Sequence, residues 1–339
     1  MITNILAFSI RQRWMVLIAV LSLSVLGVWN FTRLPIDAVP DITNVQVQIN
    51  TSAPGYSPLE VEQRITFPIE VALGGVPRLQ YTRSLSRYGL SQVTVVFNDG
   101  TDIYFARQLV AERIQQVKDQ LPSGIETTMG PISTGLGEIF MFSVEAKPNA
   151  KNSNGQPITA TDLRTIQDWI VKPQLRSVPG LVEVNSIGGY ERQFHVLPDP
   201  SKLMAYRLTF RDVLSALAAN NANVGAGYIE RNGEQYLVRT PGQVRTIEEI
   251  EDIVISSRGG MPLRIKDVAV VKEGKELRTG AGLVNGEERV IGTAMLLIGE
   301  NSRTVAQRVA VRLQEISKSL PDGVVARVLY ARTVLVEAT

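Results

Sequence analysis

Gln108–Gly124 reads QLVAERIQQVKDQLPSG, and Gln307–Gly323 reads QRVAVRLQEISKSLPDG. At an offset of 199 the two stretches agree at eight of seventeen positions, the closing Leu-Pro-x-Gly included. Each is an amphipathic helix stopped by Pro, with a Gly that lets the chain turn into a strand. Two amphipathic helices share some residues by composition alone. Here the following stretches, Ile125–Met129 and Val324–Tyr330, also read alike, so duplication of one α/β unit accounts for more of the pattern.

Outward from the first copy, Val45–Ile49 alternates apolar and polar residues as a half-buried strand does. After the turn Ala53-Pro54-Gly55, Ser57-Pro58-Leu59-Glu60 has the form of a capping box with Pro at the first helical position. Val61, Ile65, Ile69 and Leu73 then give one apolar helix face, closed by Gly74-Gly75. Strands are predicted near Gln80–Ser86 and Leu90–Phe97. A helix follows over Asp102–Gln120, and a fourth strand after Gly124. The order β-α-β-β-α-β is the split βαβ, or ferredoxin-like, unit.

The second copy is predicted to open with a strand at Glu138–Glu145, a helix over Thr161–Ser177 and a strand at Leu181–Ile187. It resumes with Val290–Ile298 and the Gln307 helix. The stretch from Gly188 to about Gly280 does not fit the repeat and reads as an insertion. It holds a helix at Phe210–Ala219, a hairpin about Asn232-Gly233, a short helix at Thr246–Glu251 and a strand pair near Leu263–Lys272. Lys147–Pro157 is a polar loop.

Ahead of the repeats, Trp14–Phe31 reads WMVLIAVLSLSVLGVWNF, and the nineteen residues between Arg13 and Arg33 carry no charge. At about 1.5 Å per residue this helix spans roughly 28 Å, close to a bilayer's hydrocarbon core. Arg11 and Arg13 put the N-terminus in the cytoplasm and the rest of the chain outside it. The rival, a cleaved signal peptide, needs small residues where Val28-Trp29-Asn30-Phe31 stands. Tyr330–Thr339 starts a helix that stops mid-pattern, so the chain is expected to be the front part of a longer protein. Ala19, Ser22 and Gly27 then offer a face to further membrane helices.

Composition narrows the chemistry. Lys plus Arg number 35 and Asp plus Glu 33, without the basic excess of a nucleic-acid binder. There is no Cys, which excludes disulfides and thiolate metal sites, and the one histidine, His195, cannot build a multi-histidine site. It lies in the alternating run from Gln193 and is expected to be structural. No phosphate-binding or nucleophile-elbow motif is present, and Gly225-Ala226-Gly227 sits beside a hairpin, not ahead of a helix. Asp99 and Asp102 serve a turn and a helix start.

One candidate site remains, Pro131-Ile-Ser-Thr-Gly-Leu-Gly-Glu138-Ile-Phe-Met. Gly135 and Gly137 allow close backbone approach, and Glu138 opens an apolar strand. Its carboxylate is either a solvated strand end or, in a cleft, one ligand for a divalent cation such as Zn²⁺ or Co²⁺. Met129 and Met141 form no soft-ligand stripe, and Met141 is expected to fill core.

Several motifs resemble one family. Leu34-Pro-Ile-Asp-Ala-Val-Pro-Asp41, Pro54–Glu62 and Gly100-Thr-Asp-Ile-Tyr-Phe-Ala-Arg107 are similar to the resistance-nodulation-division (RND) efflux transporters. Ser84–Phe97, Gly188-Gly189-Tyr190 and Asn220–Glu230 resemble its heavy-metal branch. The resemblance implies an α+β membrane protein, a secondary active cation/proton antiporter and not an enzyme, in the bacterial inner membrane. Its partners would be two further copies in a homotrimer, a periplasmic adaptor (membrane fusion) protein, an outer-membrane channel and membrane lipid, with no nucleic acid and no cofactor.

The family layout assigns 1–33 to the cytoplasmic N-terminus and first transmembrane helix, and 34–134 to a first porter subdomain. It assigns 135–187 and 280–331 to a second porter subdomain, 188–279 to an inserted docking domain, and 332–339 to the start of a second transmembrane helix. The Asn232-Gly233 hairpin resembles the arm that reaches into a neighbouring subunit. A carboxylate at the place of Glu138 fits the divalent-cation branch (zinc, cobalt, nickel or cadmium), because the copper/silver branch tends to have an aromatic there. Other ligands and the proton-relay carboxylates would lie beyond Thr339. Two other functions are weighed. A drug-exporting relative would want more than the 6% aromatic content present, and a single-span anchored binding or scaffolding module applies if the chain is naturally this short.

Overall fold

A computed structural model describes residues 9–33, 43–152, 155–222, 224–231, 234–240, 242–258, 260–278 and 280–338. The motif Leu34–Asp41 and the turn Asn232-Gly233 lie outside them.

Helix α1 (Arg13–Arg33) contains an 18-residue window, Arg13–Asn30, with mean hydropathy 1.6 and none of it buried. It is long and apolar enough to cross a membrane. The described residues, α1 included, divide into two units: those within 1–150, 167–186 and 291–339 form one, and those within 151–166 and 187–290 the other.

In the first unit, β1 (Gln46–Ser52) is followed by α2 (Pro58–Val61), a π-helical turn (Glu62–Thr66) and α3 (Phe67–Leu73). Strands β2 (Leu79–Arg87) and β3 (Leu90–Phe97), helix α4 (Ile103–Val117) and strand β4 (Glu126–Met129) complete a four-stranded sheet of order β2-β3-β1-β4. Pairing is antiparallel, with Ile49 opposite both Val93 and Met129. Val47, Ile49, Val93, Val95 and Phe97 meet the predicted face Val61, Ile65, Ile69 and Leu73, with Val110 of α4, in one buried core.

The second repeat runs from β5 (Glu138–Ala146) through α5 (Ala160–Ile166), a π-helical turn (Gln167–Val171), α6 (Lys172–Leu175) and β6 (Leu181–Ile187).

The insertion then gives β7 (Arg192–Pro198), α7 (Pro200–Ala205), α8 (Phe210–Ala219), and the hairpin strands β8 (Val224–Arg231) and β9 (Glu234–Thr240). It continues with α9 (Ile247–Glu251), β10 (Val254–Arg258), β11 (Met261–Arg264), α10 (Ile265–Val268), β12 (Ala269–Lys275) and β13 (Gly282–Val284).

The repeat closes with β14 (Glu287–Leu296), α11 (Ser302–Ser317) and β15 (Val324–Ala331), and α12 (Arg332–Ala338) follows. Its strands stand in the order β6-β14-β5-β15, the same arrangement as in the first repeat, with β13 also paired to β14. Helix α11 buries Val305, Val309, Leu313 and Ile316, and β5 buries Phe140, Phe142 and Val144.

Two expectations change. The uninterrupted helices predicted after the first strand of each repeat are both broken by a π turn ahead of Pro68 and Pro173. Proline lacks the N–H for the next helical bond and its ring crowds the carbonyl four residues back, so the helix widens just before it. The defect recurs at Ile65-Thr-Phe-Pro68 and Ile170-Val-Lys-Pro173, a second trace of duplication.

The strand pair predicted near Leu263–Lys272 is instead cut by α10. There the Asp267 carboxylate accepts from the Arg264 N–H at 2.7 Å, and Ile265 and Val268 share a buried side. Strand β11 pairs with β10, and β12 with β7.

The capping box forms as predicted. The Ser57 N–H donates to Glu60 Oε2 at 2.9 Å, and the Ser57 hydroxyl to the same oxygen at 2.8 Å. These bonds, the backbone one first, hold the Glu60 carboxyl below the ordinary 4.5. Asp212 is lowered in the same way by Thr209 at the start of α8. A folded value below the unfolded one means the stabilisation is complete above the unfolded pKa and is lost as pH falls through the folded one. NMR titration should therefore find Glu60 protonating below 4.5, and Ser57→Ala should return it towards that value. An unshifted Glu60 in the parent would contradict the box.

Candidate metal-binding region

The loop between the repeats is tied down along its length. At its start the Gly130 N–H donates to the Gln48 carbonyl at 2.7 Å, and Arg107 Nη1 donates to the Gly130 carbonyl at 2.6 Å. Arg107 is half-buried, and the lost hydration lowers its pKa from the ordinary guanidinium value. The Ile298 N–H reaches the Ile132 carbonyl at 3.3 Å. A tight turn follows, with the Gly137 N–H donating to the Thr134 carbonyl at 2.9 Å. A Cβ at Gly137 would stand 2.1 Å from Ser133 Oγ and 3.0 Å from the Thr134 carbonyl oxygen, which explains the glycine. The Gly137 carbonyl accepts from the Leu296 N–H at 2.7 Å and the Leu136 carbonyl from Arg332 Nη1 at 3.3 Å.

Glu138 is the residue delivered by this loop. It is the first residue of β5 and is exposed, whereas Ile139 and Phe140 after it are buried. Its carboxylate makes no hydrogen bond or ion pair with a described residue, so both oxygens are open to a ligand. Among the described residues no group of three or more Asp, Glu, His or Cys gathers to hold a metal ion, so Glu138 offers at most part of a coordination shell. Two clefts, of about 700 Å³ beside Lys118, Asp119 and Glu126 and about 450 Å³ beside Arg308 and Glu315, do not include it.

The other candidates fall where their residue types suggest. Met129 packs against the first core and Met141 is half-buried. Asp102 caps α4 by accepting from the Phe105 N–H at 2.8 Å. His195 stands opposite Lys272 in the β7–β12 ribbon, with its ring against Gly274, where a Cβ would lie 2.5 Å from the ring. Sequence reasoning missed the arginines at the two ends of the loop. Arg107 closes the quoted motif Gly100–Arg107, a signal in hindsight, whereas nothing in the sequence marks Arg332 as a buried residue.

The family model described as AcrB/AcrD/AcrF matches residues 5–339. The chain belongs to this family. It is 66% identical over 339 residues to protein HelA of Legionella pneumophila, covering 100% of this chain and 32% of that protein. It is 58% identical over 337 residues to the cobalt-zinc-cadmium resistance protein CzcA of Cupriavidus metallidurans, covering 99% of this chain and 32% of that one. A crystal structure of a heavy metal efflux pump superposes with a TM-score of 0.86 at 30% identity, covering 98% of this chain and 33% of the pump. The resemblance to RND heavy-metal pumps read from the motifs is thus borne out, and the chain spans about a third of the length of the relatives it matches.

Proposed function

We propose that this chain is the N-terminal part of a proton-driven exporter of divalent heavy-metal cations. The observation that carries the proposal is the 58% identity, sustained over 99% of the chain, to a protein named for cobalt, zinc and cadmium resistance. The repeated strand order supports reading 34–134 and 135–187 with 280–331 as two ferredoxin-like porter subdomains, and 188–279 as the docking domain inserted in the second. Helix α1 is then the first transmembrane helix and 332–339 the start of the second, with 34–331 in the periplasm. The assembly is a homotrimer joined to a periplasmic adaptor and an outer-membrane channel.

Glu138 is one ligand of the periplasmic cation. Its exposed carboxylate is a hard oxygen donor suited to Zn²⁺, Co²⁺, Ni²⁺ or Cd²⁺ more than to a soft monovalent ion. The cation is substrate, and no cofactor is involved.

The test is zinc uptake into everted membrane vesicles carrying the intact protein. Collapsing the proton gradient should stop it. Glu138→Gln keeps shape and removes charge, and should lower uptake at low zinc by roughly tenfold or more, the loss that even outer-shell groups of metal sites cause. Vesicles that accumulate dyes and not zinc would overturn the metal reading in favour of drug export. Uptake that persists without a proton gradient would overturn the antiport.

A further inference from the structure

Arg332 is only 6% exposed and sits in the first turn of α12. A cation there faces the positive end of the helix dipole and has lost most of its hydration, so it stays charged and buried only where acceptor oxygens meet it. Its Nη1 donates to the carbonyl of Leu136 at 3.3 Å, across 196 residues of sequence. Leu136 lies two residues before Glu138. The sheet register explains the meeting. Ala331, the last residue of β15, is opposite Phe140, so α12 begins beside the start of β5.

The neighbouring bonds make this contact consequential. The loop is fixed at Gly130 by Arg107, at Ile132 by the Ile298 N–H and at Gly137 by the Leu296 N–H. Arg107 belongs to α4, Leu296 ends β14, and Ile298 lies in the turn just after it, all inside the two repeats. Arg332 alone among these donors belongs to α12, the helix that leaves the second repeat. Gly137 alone separates the held Leu136 carbonyl from Glu138.

We propose that Arg332 is a positioning residue for Glu138. Its guanidinium ties the Leu136 peptide to the first turn of α12, so that a shift or rotation of that helix re-aims the Glu138 carboxylate. The proposal rests on the reading of Glu138 as a cation ligand. It makes α12 the element through which events in the membrane reach the periplasmic site.

The test is calorimetric titration of Zn²⁺ into the intact detergent-solubilised protein and its Glu138→Gln, Arg332→Gln, Arg332→Lys and Glu138→Gln/Arg332→Gln variants. Arg332→Gln should weaken zinc binding roughly tenfold, the scale of a lost group behind a ligand. The double variant should bind no more weakly than Glu138→Gln alone, because a residue acting through Glu138 has nothing left to position. Arg332→Lys, which keeps charge and a donor, should recover part of the loss. Unchanged affinity in Arg332→Gln, or a double loss equal to the product of the single ones, would overturn the proposal while leaving Glu138 a ligand. Unchanged affinity in Glu138→Gln would remove the ligand reading itself, and the proposal with it. If neither Arg332 variant folds, the residue is a structural one and the proposal fails.

Discussion

Gly188→Ala is expected to destabilise the unit formed by 151–166 and 187–290 by about 2–5 kcal/mol. Gly188 has φ +81°, and a Cβ there would stand 2.4 Å from the Arg289 carbonyl oxygen and 2.9 Å from the Gly282 nitrogen. Left-handed backbone costs an L-residue about 1–2 kcal/mol, and overfilling a packed site about 1–3 kcal/mol more. Neither can be relieved by a rotamer change, because the atoms in the way are backbone. The next residue is equally confined: Gly189 has φ +66°, with the Ala160 carbonyl oxygen at 2.8 Å from its would-be Cβ.

The Gly188 carbonyl also accepts from Arg164 Nη1 at 3.0 Å, so the turn is fixed on both sides. It stands where the chain leaves β6 for the insertion, beside Gly282 and Arg289, where it returns. A Cβ at Gly280 would meet nothing within 4 Å, and Gly280→Ala is the control. Thermal melting together with limited proteolysis of the insertion should show an earlier transition for Gly188→Ala and none for the control. Equal behaviour of the two variants would mean that the turn is free to relax.

Periodic burial made most of the fold legible in the sequence. Val61, Ile65, Ile69 and Leu73, spaced by four, are all fully buried, and the alternation of Val47 and Ile49 marks the face of β1 turned to them. A signal of this kind exists wherever one face of an element meets a core and the other meets water.

What escaped was set by tertiary partners or by single atoms. The partner of β7 is β12, more than seventy residues on, and two alternating strands carry no label saying that they pair. The π turns depend on what the prolines displace one turn earlier, a local effect that apolar spacing does not register. At the candidate site, Glu138 was legible because a carboxylate opening an apolar strand departs from the pattern. Arg332 was not, because an arginine at the start of a helix reads as an exposed one until its 6% exposure is known.

The second large effect concerns the strand that carries Glu138. Phe142 of β5 is fully buried, its ring centroid 6.4 Å from that of Phe140 with the planes tilted by 46°. The space above it exists because position 292 in β14 has no side chain. A Cβ at Gly292 would fall 2.2 Å from Phe142 Cζ and 2.7 Å from Gln167 Nε2. Gln167 is itself fully buried, so it has little room to withdraw.

Phe142→Ala should therefore cost about 3–5 kcal/mol, from lost burial and the cavity left behind. Gly292→Ala should cost about 1–3 kcal/mol, from overpacking. Combined with Phe142→Leu, the methyl of Gly292→Ala occupies space that the ring has vacated. The double variant should then be more stable than the sum of its singles predicts, by about 1 kcal/mol or more, as for residues in direct contact. Chemical denaturation of the four proteins measures this coupling, and additivity to within about 0.5 kcal/mol would show that the ring and residue 292 do not share the space.

The double variant also separates support from chemistry at the site. Phe142 lies four residues from Glu138 on the same strand and the same face of it, fully buried where the carboxylate is exposed. If Glu138 needs only a firm strand beneath it, zinc affinity should follow stability across the series and recover in the repacked pair. An affinity that stays low in a refilled core would mean that the ring sets the direction of β5 itself, and with it the aim of the carboxylate at its end.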